Sequence, residues 1–251
     1  PSGFLSGRPL SLLTTWEEKE QILAQSGIDL VLLLDFTSQL ASLSPRSFIE
    51  KIRQVLEVRE VVVGEDFVFG NGREGDVRWL RENEGVFEYK LRAIPSLRVG
   101  EKKVGSSLIR NWLEEGRVEK ATLWLGRCPT ILGRVIKGKR RGRDLGYPTA
   151  NLEPHFGKLL PGPGVYAGKV LVRGDYYKGI VNVGNKPTFK DMSFGVEAYV
   201  LGFEKDIYGE EVKIELVARL RGIEQFSSSL DLARRIEEDE RRAGKILDYA
   251  L

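Results

Sequence analysis

A chain of 251 residues with 41% apolar and 30% charged side chains has material for two domains with cores of their own, which excludes disordered and fibrous classes. Its formal net charge of +3 calls for no nucleic-acid or membrane partner at the level of the whole chain. No apolar run approaches the roughly 20 residues that span a bilayer, and the first residues lack the basic-then-apolar pattern of a signal peptide.

One cysteine, Cys128, excludes an internal disulfide framework and fits a reducing cytoplasm. One histidine, His155, excludes zinc sites that need two and leaves little room for a Ser-His-Asp site. It follows Pro154 in an expected surface loop.

In chain order, Thr15-Trp-Glu-Glu18 has the form of a capping box, with Gly27 placed to close the helix that follows. Ile28 to Leu34 is a continuous apolar run of strand length, which predicts a strand buried on both faces of a parallel sheet. Ser44-Pro45 opens a helix through about Val55, with the proline in its first turn. Val61 to Val63 reads as a second buried strand, residues from near Asp76 to Glu84 as a helix, and Val86 to Leu91 as another strand. This alternation predicts an α/β layered domain with right-handed crossovers over residues 1–124.

Ligands of open α/β sheets sit at the carboxyl ends of strands. That singles out Gly64-Glu-Asp-Phe-Val-Phe-Gly70, with Asp66, Phe67, Phe69 and Gly70, directly after the second strand. Further on, Ser106 and Ser107 stand at a helix start with Arg110 one turn in, so hydroxyls, N–H groups and a cation could hold an anion. A plain N-cap is the alternative reading of the two serines.

From about Leu125 the period changes to two. Gly164 to Val172 and Tyr176 to Val183 flank Arg173-Gly174-Asp175 as a hairpin, while Gly195 to Leu201 and Glu211 to Val217 alternate cleanly. Strands separated by glycine-rich turns predict a small closed antiparallel barrel over residues 125–251. Ser228-Ser-Leu-Asp231 then caps a last helix, whose stripe Leu232, Ile236, Ala243, Leu247 and Ala250 packs on the barrel. Asp239 falls close to that stripe, where it pairs with a barrel group or touches a ligand's edge.

Into the barrel falls Gly133-Arg-Val-Ile-Lys-Gly-Lys-Arg-Arg-Gly-Arg-Asp-Leu-Gly-Tyr-Pro-Thr-Ala-Asn151. Gly138, Gly142 and Gly146 recur every four residues, which permits turns that aim N–H groups at an anion. Lys137, Lys139, Arg140, Arg141 and Arg143 surround them with cations, which suits a polyphosphate. Thr149 and Asn151, on a segment stiffened by Pro148, offer hard oxygens suited to Mg²⁺ shared with substrate phosphates. The glycines and charges alone also fit a basic surface loop. No Walker A pattern occurs, and residues 137–146 hold no aromatic side chain of the kind that stacks on bases, against a nucleic-acid-binding barrel.

The pattern G-x-V-x-x-G-x-x-x-G-R-x-x-G-x-P-T-A-N resembles the signature of bacterial riboflavin kinases, the C-terminal half of bifunctional riboflavin kinase/FAD synthetases. The resemblance covers essentially the whole chain and is strongest over 133–251. It implies a six-stranded Greek-key barrel with riboflavin between barrel and C-terminal helix, behind an incomplete Rossmann-like FMN adenylyltransferase domain. It implies ATP phosphates held around Gly133, Lys137, Gly138, Gly142, Arg143, Gly146, Pro148 and Thr149, and Mg²⁺ on Thr149 and Asn151. Asn182-Val-Gly184 through Lys186-Pro-Thr188 resembles the segment that shapes the nucleotide side, with a plain hairpin end as the alternative. A strand glutamate ordinarily faces solvent, but Gly195-Val-Glu-Ala-Tyr-Val200 resembles the family's catalytic-glutamate strand, which implies that Glu197 is the catalytic residue.

Asp66, Phe67, Phe69 and Gly70, with Ser106, Ser107 and Arg110, resemble the nucleotide and flavin contacts of the adenylyltransferase domain. The family's G-x-F-D-G-x-H-x-G-H segment has no counterpart here, so the chain is expected to begin partway into that domain, and FMN adenylylation lacks the histidines that stabilise the phosphates. The expected function is therefore a cytoplasmic, Mg²⁺-dependent kinase converting riboflavin and ATP to FMN, within a framework that in the family continues to FAD. The alternative is a non-catalytic flavin- or nucleotide-binding protein. Its partners are small molecules, with neither nucleic acid nor membrane, and a homo-oligomer stays open.

Overall fold

The computed structural model describes residues 11–137, 147–186, 191–203 and 205–249. They fall into two compact units, one from Leu30–Val104, the other from residues 11–29 and from Gly105 onward. Helix α1 (Trp16–Gln25) belongs to the second unit. Its capping box is complete: the Thr15 hydroxyl accepts the Glu18 N–H, and the Glu18 carboxylate accepts the Thr15 N–H at 3.1 Å.

The first unit runs through α2 (Ser38–Ala41), α3 (Pro45–Arg53), β1 (Glu60–Gly64), β2 (Val68–Phe69), β3 (Gly75–Asp76), α4 (Val77–Glu82), α5 (Glu84–Phe87), β4 (Lys90–Ile94), β5 (Arg98–Val99) and β6 (Lys102–Lys103). Ser44 caps α3 ahead of Pro45, and Asp76 caps α4, its carboxylate accepting the Trp79 N–H at 2.7 Å. Strands β1 and β4 pair in parallel, Val61 opposite Leu91 and Val63 opposite Ala93, across a helical crossover. Their inward side chains join Ile49, Leu80, Phe87 and Tyr89 in one core. Rings of Phe48, Phe69, Trp79, Phe87 and Tyr89 follow one another through it at centroid distances of 5.7 to 6.4 Å.

Three expectations are corrected here. Ile28 to Leu34 is not a strand. The run is irregular, with Leu30, Leu32, Leu33 and Leu34 each more than half exposed. A strand exists only through a partner's hydrogen bonds, and among the described residues none pairs with it. Strand β1 is buried on one face only, since Val62 is 55% exposed. The strand expected at 86–91 starts at Lys90, because Val86 and Phe87 close α5 and Glu88 turns the chain in the left-handed region at φ 55°.

The second unit continues with α6 (Ser106–Glu114) and α7 (Val118–Leu125), then β7 (Thr130–Ile136), β8 (Thr149–Pro154), β9 (Gly164–Val172), β10 (Asp175–Lys186), β11 (Asp191–Val200), β12 (Glu211–Arg221) and α8 (Ser229–Asp248). The six strands close an antiparallel barrel in the order β10-β11-β8-β7-β12-β9. β9, β10 and β11 follow one another as neighbours and β12 returns beside β9, which is a Greek key. Arg173 and Gly174, at φ 53° and 92°, make the two-residue turn between β9 and β10, with positive φ at both central positions as a type I′ turn requires.

Alternation sorts the barrel's side chains. Ile131, Val135, Leu152, Val170, Val181, Val183, Val196, Ala198, Val212, Ile214 and Leu216 are all buried and fill the interior. On the outer face, Ala243 and Leu247 of α8 seat against Val165, Ala167, Ile180 and Leu220. Ala243 and Leu247 of the α8 stripe are thus core packing as expected, Leu232 and Ile236 are half-buried, and Ala250 lies outside the described residues. Asp239 of α8 is 1% exposed and accepts from Arg221 of β12 at 2.8 Å, the barrel partner expected for it.

Candidate active site

Glu197 lies between Val196 and Ala198, which point into the barrel, so its side chain points outward. Register does the rest. Glu197 on β11 stands opposite Asn151 on β8 and opposite Asn182 on β10, and Tyr199 stands opposite Thr149. Directly opposed residues share a face, so Thr149, Asn151, Asn182, Glu197 and Tyr199 form one half-buried polar patch outside the barrel. Within it the Thr149 hydroxyl donates to the Glu197 carboxylate. Tyr147 packs edge-on to Tyr199, with ring centroids 5.4 Å apart and planes at 89°. Burial first, then the Glu240 carboxylate, pushes the Tyr199 phenol above its ordinary range.

The remaining barrel residues sort as follows. Lys137 follows the end of β7 and is exposed, as is Pro148. Gly138, Gly142, Arg143 and Gly146 lie outside the described residues. Gly133 sits inside β7, where an added Cβ would fall 2.3 Å from the Glu153 carbonyl oxygen, so a side chain there would collide with β8. Gly184, at φ 135°, ends the regular part of β10 just before a bulge, in a conformation that favours glycine. His155 meets Glu211 at 3.2 Å, and the half-buried Cys128 thiol is pushed up mainly by burial.

In the first unit, Asp66 follows β1 and pairs with Lys103, whose hydrogen bond holds its carboxyl below the usual range. Phe67 stacks on Phe69 at 5.5 Å. Gly70 has φ 75°, and a Cβ there would meet Pro45 at 2.8 Å. A cleft of about 510 Å³ opens beside these residues, lined by Glu65, Asp66, Phe67, Asp76, Arg78 and Arg81 among others. Ser106, Ser107 and Arg110 belong to the second unit. Gly105, not a serine, is the N-cap of α6, so the two serines occupy its first turn; Arg110 donates to the Ser11 carbonyl at 3.2 Å.

A riboflavin kinase family model matches residues 125–247, and an FAD synthetase model matches residues 1–108. The bifunctional riboflavin kinase/FMN adenylyltransferase of Listeria monocytogenes is 35% identical over 244 residues, covering 96% of this chain and 77% of its own. The chain belongs to this family. The Bacillus subtilis relative of the same name is 34% identical, over 94% of this chain and 75% of its own. A crystal structure named as a macrolide-efflux protein from Streptococcus pneumoniae superposes with a TM-score of 0.81 at 30% identity, covering 91% of this chain and 74% of that one.

The riboflavin kinase domain is therefore the barrel with α8, and the FAD synthetase match falls on the N-terminal part. Among the described residues no cluster of three or more His, Cys, Asp or Glu could hold a metal unaided. Two neutral oxygen donors beside one carboxylate fit a Mg²⁺ ion whose remaining ligands come from phosphates and water.

Two features of the patch escape a reading of single motifs. Tyr199 is two residues past Glu197, which is the strand spacing for a shared face. Tyr147 immediately precedes Pro148 in the signature itself.

Proposed function

We propose that this chain is an ATP:riboflavin 5′-phosphotransferase, moving the γ-phosphate of ATP to the ribityl 5′-hydroxyl to give FMN, with residues 125–251 carrying the reaction. The observation that carries the reading is the Thr149–Glu197 hydrogen bond on the outer barrel face, with Asn151 directly opposite. Glu197 orients the 5′-hydroxyl and accepts its proton as the oxygen attacks phosphorus. Thr149 and Asn151 would hold Mg²⁺, which supplies charge neutralisation on the phosphates when bound. Lys137, Gly138, Gly142, Arg143, Gly146 and Pro148 would cradle the nucleotide, with Gly133 in the strand that leads to them and Asn182 and Gly184 flanking the same side. Asn182 stands opposite Glu197, which supports that placement.

In the N-terminal part, Asp66, Phe67, Phe69 and Gly70 of the first unit would serve as nucleotide and flavin contacts, and Ser106, Ser107 and Arg110 of the second unit as phosphate contacts. FMN is the expected product of the kinase domain over residues 125–251. Small-molecule partners and a cytoplasmic location go with this reading; no helix among the described residues is long and apolar enough to cross a membrane.

The test is a chromatographic assay with riboflavin, ATP and Mg²⁺ that follows FMN and FAD together. Wild type should make FMN, and Glu197→Gln should lower kcat by about 10²- to 10⁴-fold, the usual contribution of a positioned base, with little change in KM. Undiminished turnover by the variant would remove Glu197 from the mechanism, and absence of FMN from wild type would leave a binding role.

A further inference from the structure

Tyr199 connects the catalytic patch to the barrel's outer packing. It is half-buried against the cluster in which Ala243 and Leu247 of α8 meet Val165, Ala167 and Ile180. Its ring also meets that of Tyr147 in an edge-to-face pair, and it stands directly across from Thr149.

Tyr147 precedes Pro148, and the residue before a proline is confined to extended conformations. Proline itself has a fixed φ. Once the Tyr147 ring is seated, the backbone from 147 to 149 has little freedom left. Among the described residues the pairing of β8 with β11 begins at Thr149, opposite Tyr199. The contact of Tyr147 with the same Tyr199 ring extends that hold two residues further along the chain.

We propose that Tyr199 is a positioning residue of the phosphoryl-transfer site: its ring, anchored on the α8 cluster, seats Tyr147 and so holds the Thr149 hydroxyl against the Glu197 carboxylate. The inference rests on the kinase reading above. It separates the roles of two neighbours on one strand, since Glu197 meets the reacting hydroxyl whereas Tyr199 acts through Tyr147 and Thr149.

The experiment is a double-mutant cycle on the full chain, with kcat for FMN formation measured per folded protein at saturating riboflavin, ATP and Mg²⁺. An edge-to-face aromatic pair contributes enough to change kcat by about 2- to 13-fold when it is lost. Tyr199→Leu and Tyr147→Leu should each lower kcat within that range. Because each breaks the same contact, the double variant should be no slower than the slower single one. Tyr199→Phe keeps the ring and should restore most of the rate lost in Tyr199→Leu. A merely structural tyrosine would lower the melting temperature and leave the kcat of the folded fraction unmoved. Tyr199→Leu at wild-type kcat, or losses that multiply in the double variant, would overturn the inference while the kinase reading stands. A wild-type chain that makes no FMN would remove both together.

Discussion

Glu18 of α1 is an acidic residue at 3% exposure, and the reason is its hydrogen bonding. One carboxylate oxygen accepts the Leu132 N–H of β7 at 3.1 Å; the other accepts the Thr15 N–H at 3.1 Å and the Lys158 ammonium at 2.6 Å. Lys158 also donates to the Leu13 carbonyl at 2.8 Å. With both side chains almost fully buried, the group clips α1 and its leading segment to the barrel. Glu18→Ala strands a buried ammonium and the Leu132 amide at once. Breaking a buried pair from one side costs about 3–5 kcal/mol, and an orphaned buried amide about 1–3 kcal/mol; because water can enter the vacated space, the terms do not add in full. We expect a loss of about 4 kcal/mol from the barrel unit. Lys158→Met should cost about half as much. The Glu18 carboxylate then keeps two backbone donors, and burial already pushes the Lys158 pKa down in spite of Glu18. Urea unfolding followed by tryptophan fluorescence measures this, since Trp16, Trp112 and Trp124 lie in the barrel unit. A Glu18→Ala loss under about 1 kcal/mol, or a larger loss for Lys158→Met, would refute the clip.

Two further predictions concern the same unit. Tyr166 is fully buried, donates to the Gly162 carbonyl, and has its phenol pushed up to about 12 from 10.0, mainly by burial. A folded-state pKa above the unfolded one gives stability that is complete below pH 10 and lost as pH rises towards 12, in all about 3 kcal/mol at 1.4 kcal/mol per unit. Unfolding measured from pH 9 to 12 in wild type and Tyr166→Phe should show that steeper alkaline decline in wild type alone. Gly133→Ala should destabilise the barrel by about 3 kcal/mol or more, because the obstructing atom is the Glu153 backbone oxygen rather than a side chain that can swing away. Its calorimetric midpoint should fall accordingly, and a midpoint equal to wild type would contradict the close approach of β7 and β8.

Local chemistry accounts for what was legible in the sequence. The turn at Arg173-Gly174, the caps at Thr15, Ser44 and Ser228, and the strict alternation around Glu197 are short-range signals, and each corresponds to an observed element. Alternation did more than name strands. With Val196 and Ala198 directed inward, Glu197 could only face out, towards the strand that bears Thr149 and Asn151. The Ile28–Leu34 run shows the limit of the same reasoning. Apolar character states that a segment gains by burial, whereas strand formation needs a free edge at the right place, and residue order alone does not supply the edge. The N-cap of α6 moved by one residue, to Gly105, for a milder reason: glycine and serine both tolerate that position.

What could not be read was register across distance. Thr149 and Glu197 are 48 residues apart, and their meeting depends on β8 pairing with β11 rather than with β9, its successor in the chain. A slip of one residue in that pairing would place Ala150 opposite Glu197 and turn Asn151 away from it. The proposed catalytic arrangement is therefore a property of the Greek key and its register. Tyr199 and Tyr147 illustrate the consequence: their rings meet only once β8 and β11 are side by side. The same holds for Glu18, whose capping-box role is visible in four consecutive residues, while its second role depends on Leu132 and Lys158, more than 100 residues away. In this chain two separate motifs carry the polar groups of the patch, and strand order decides which of them meet.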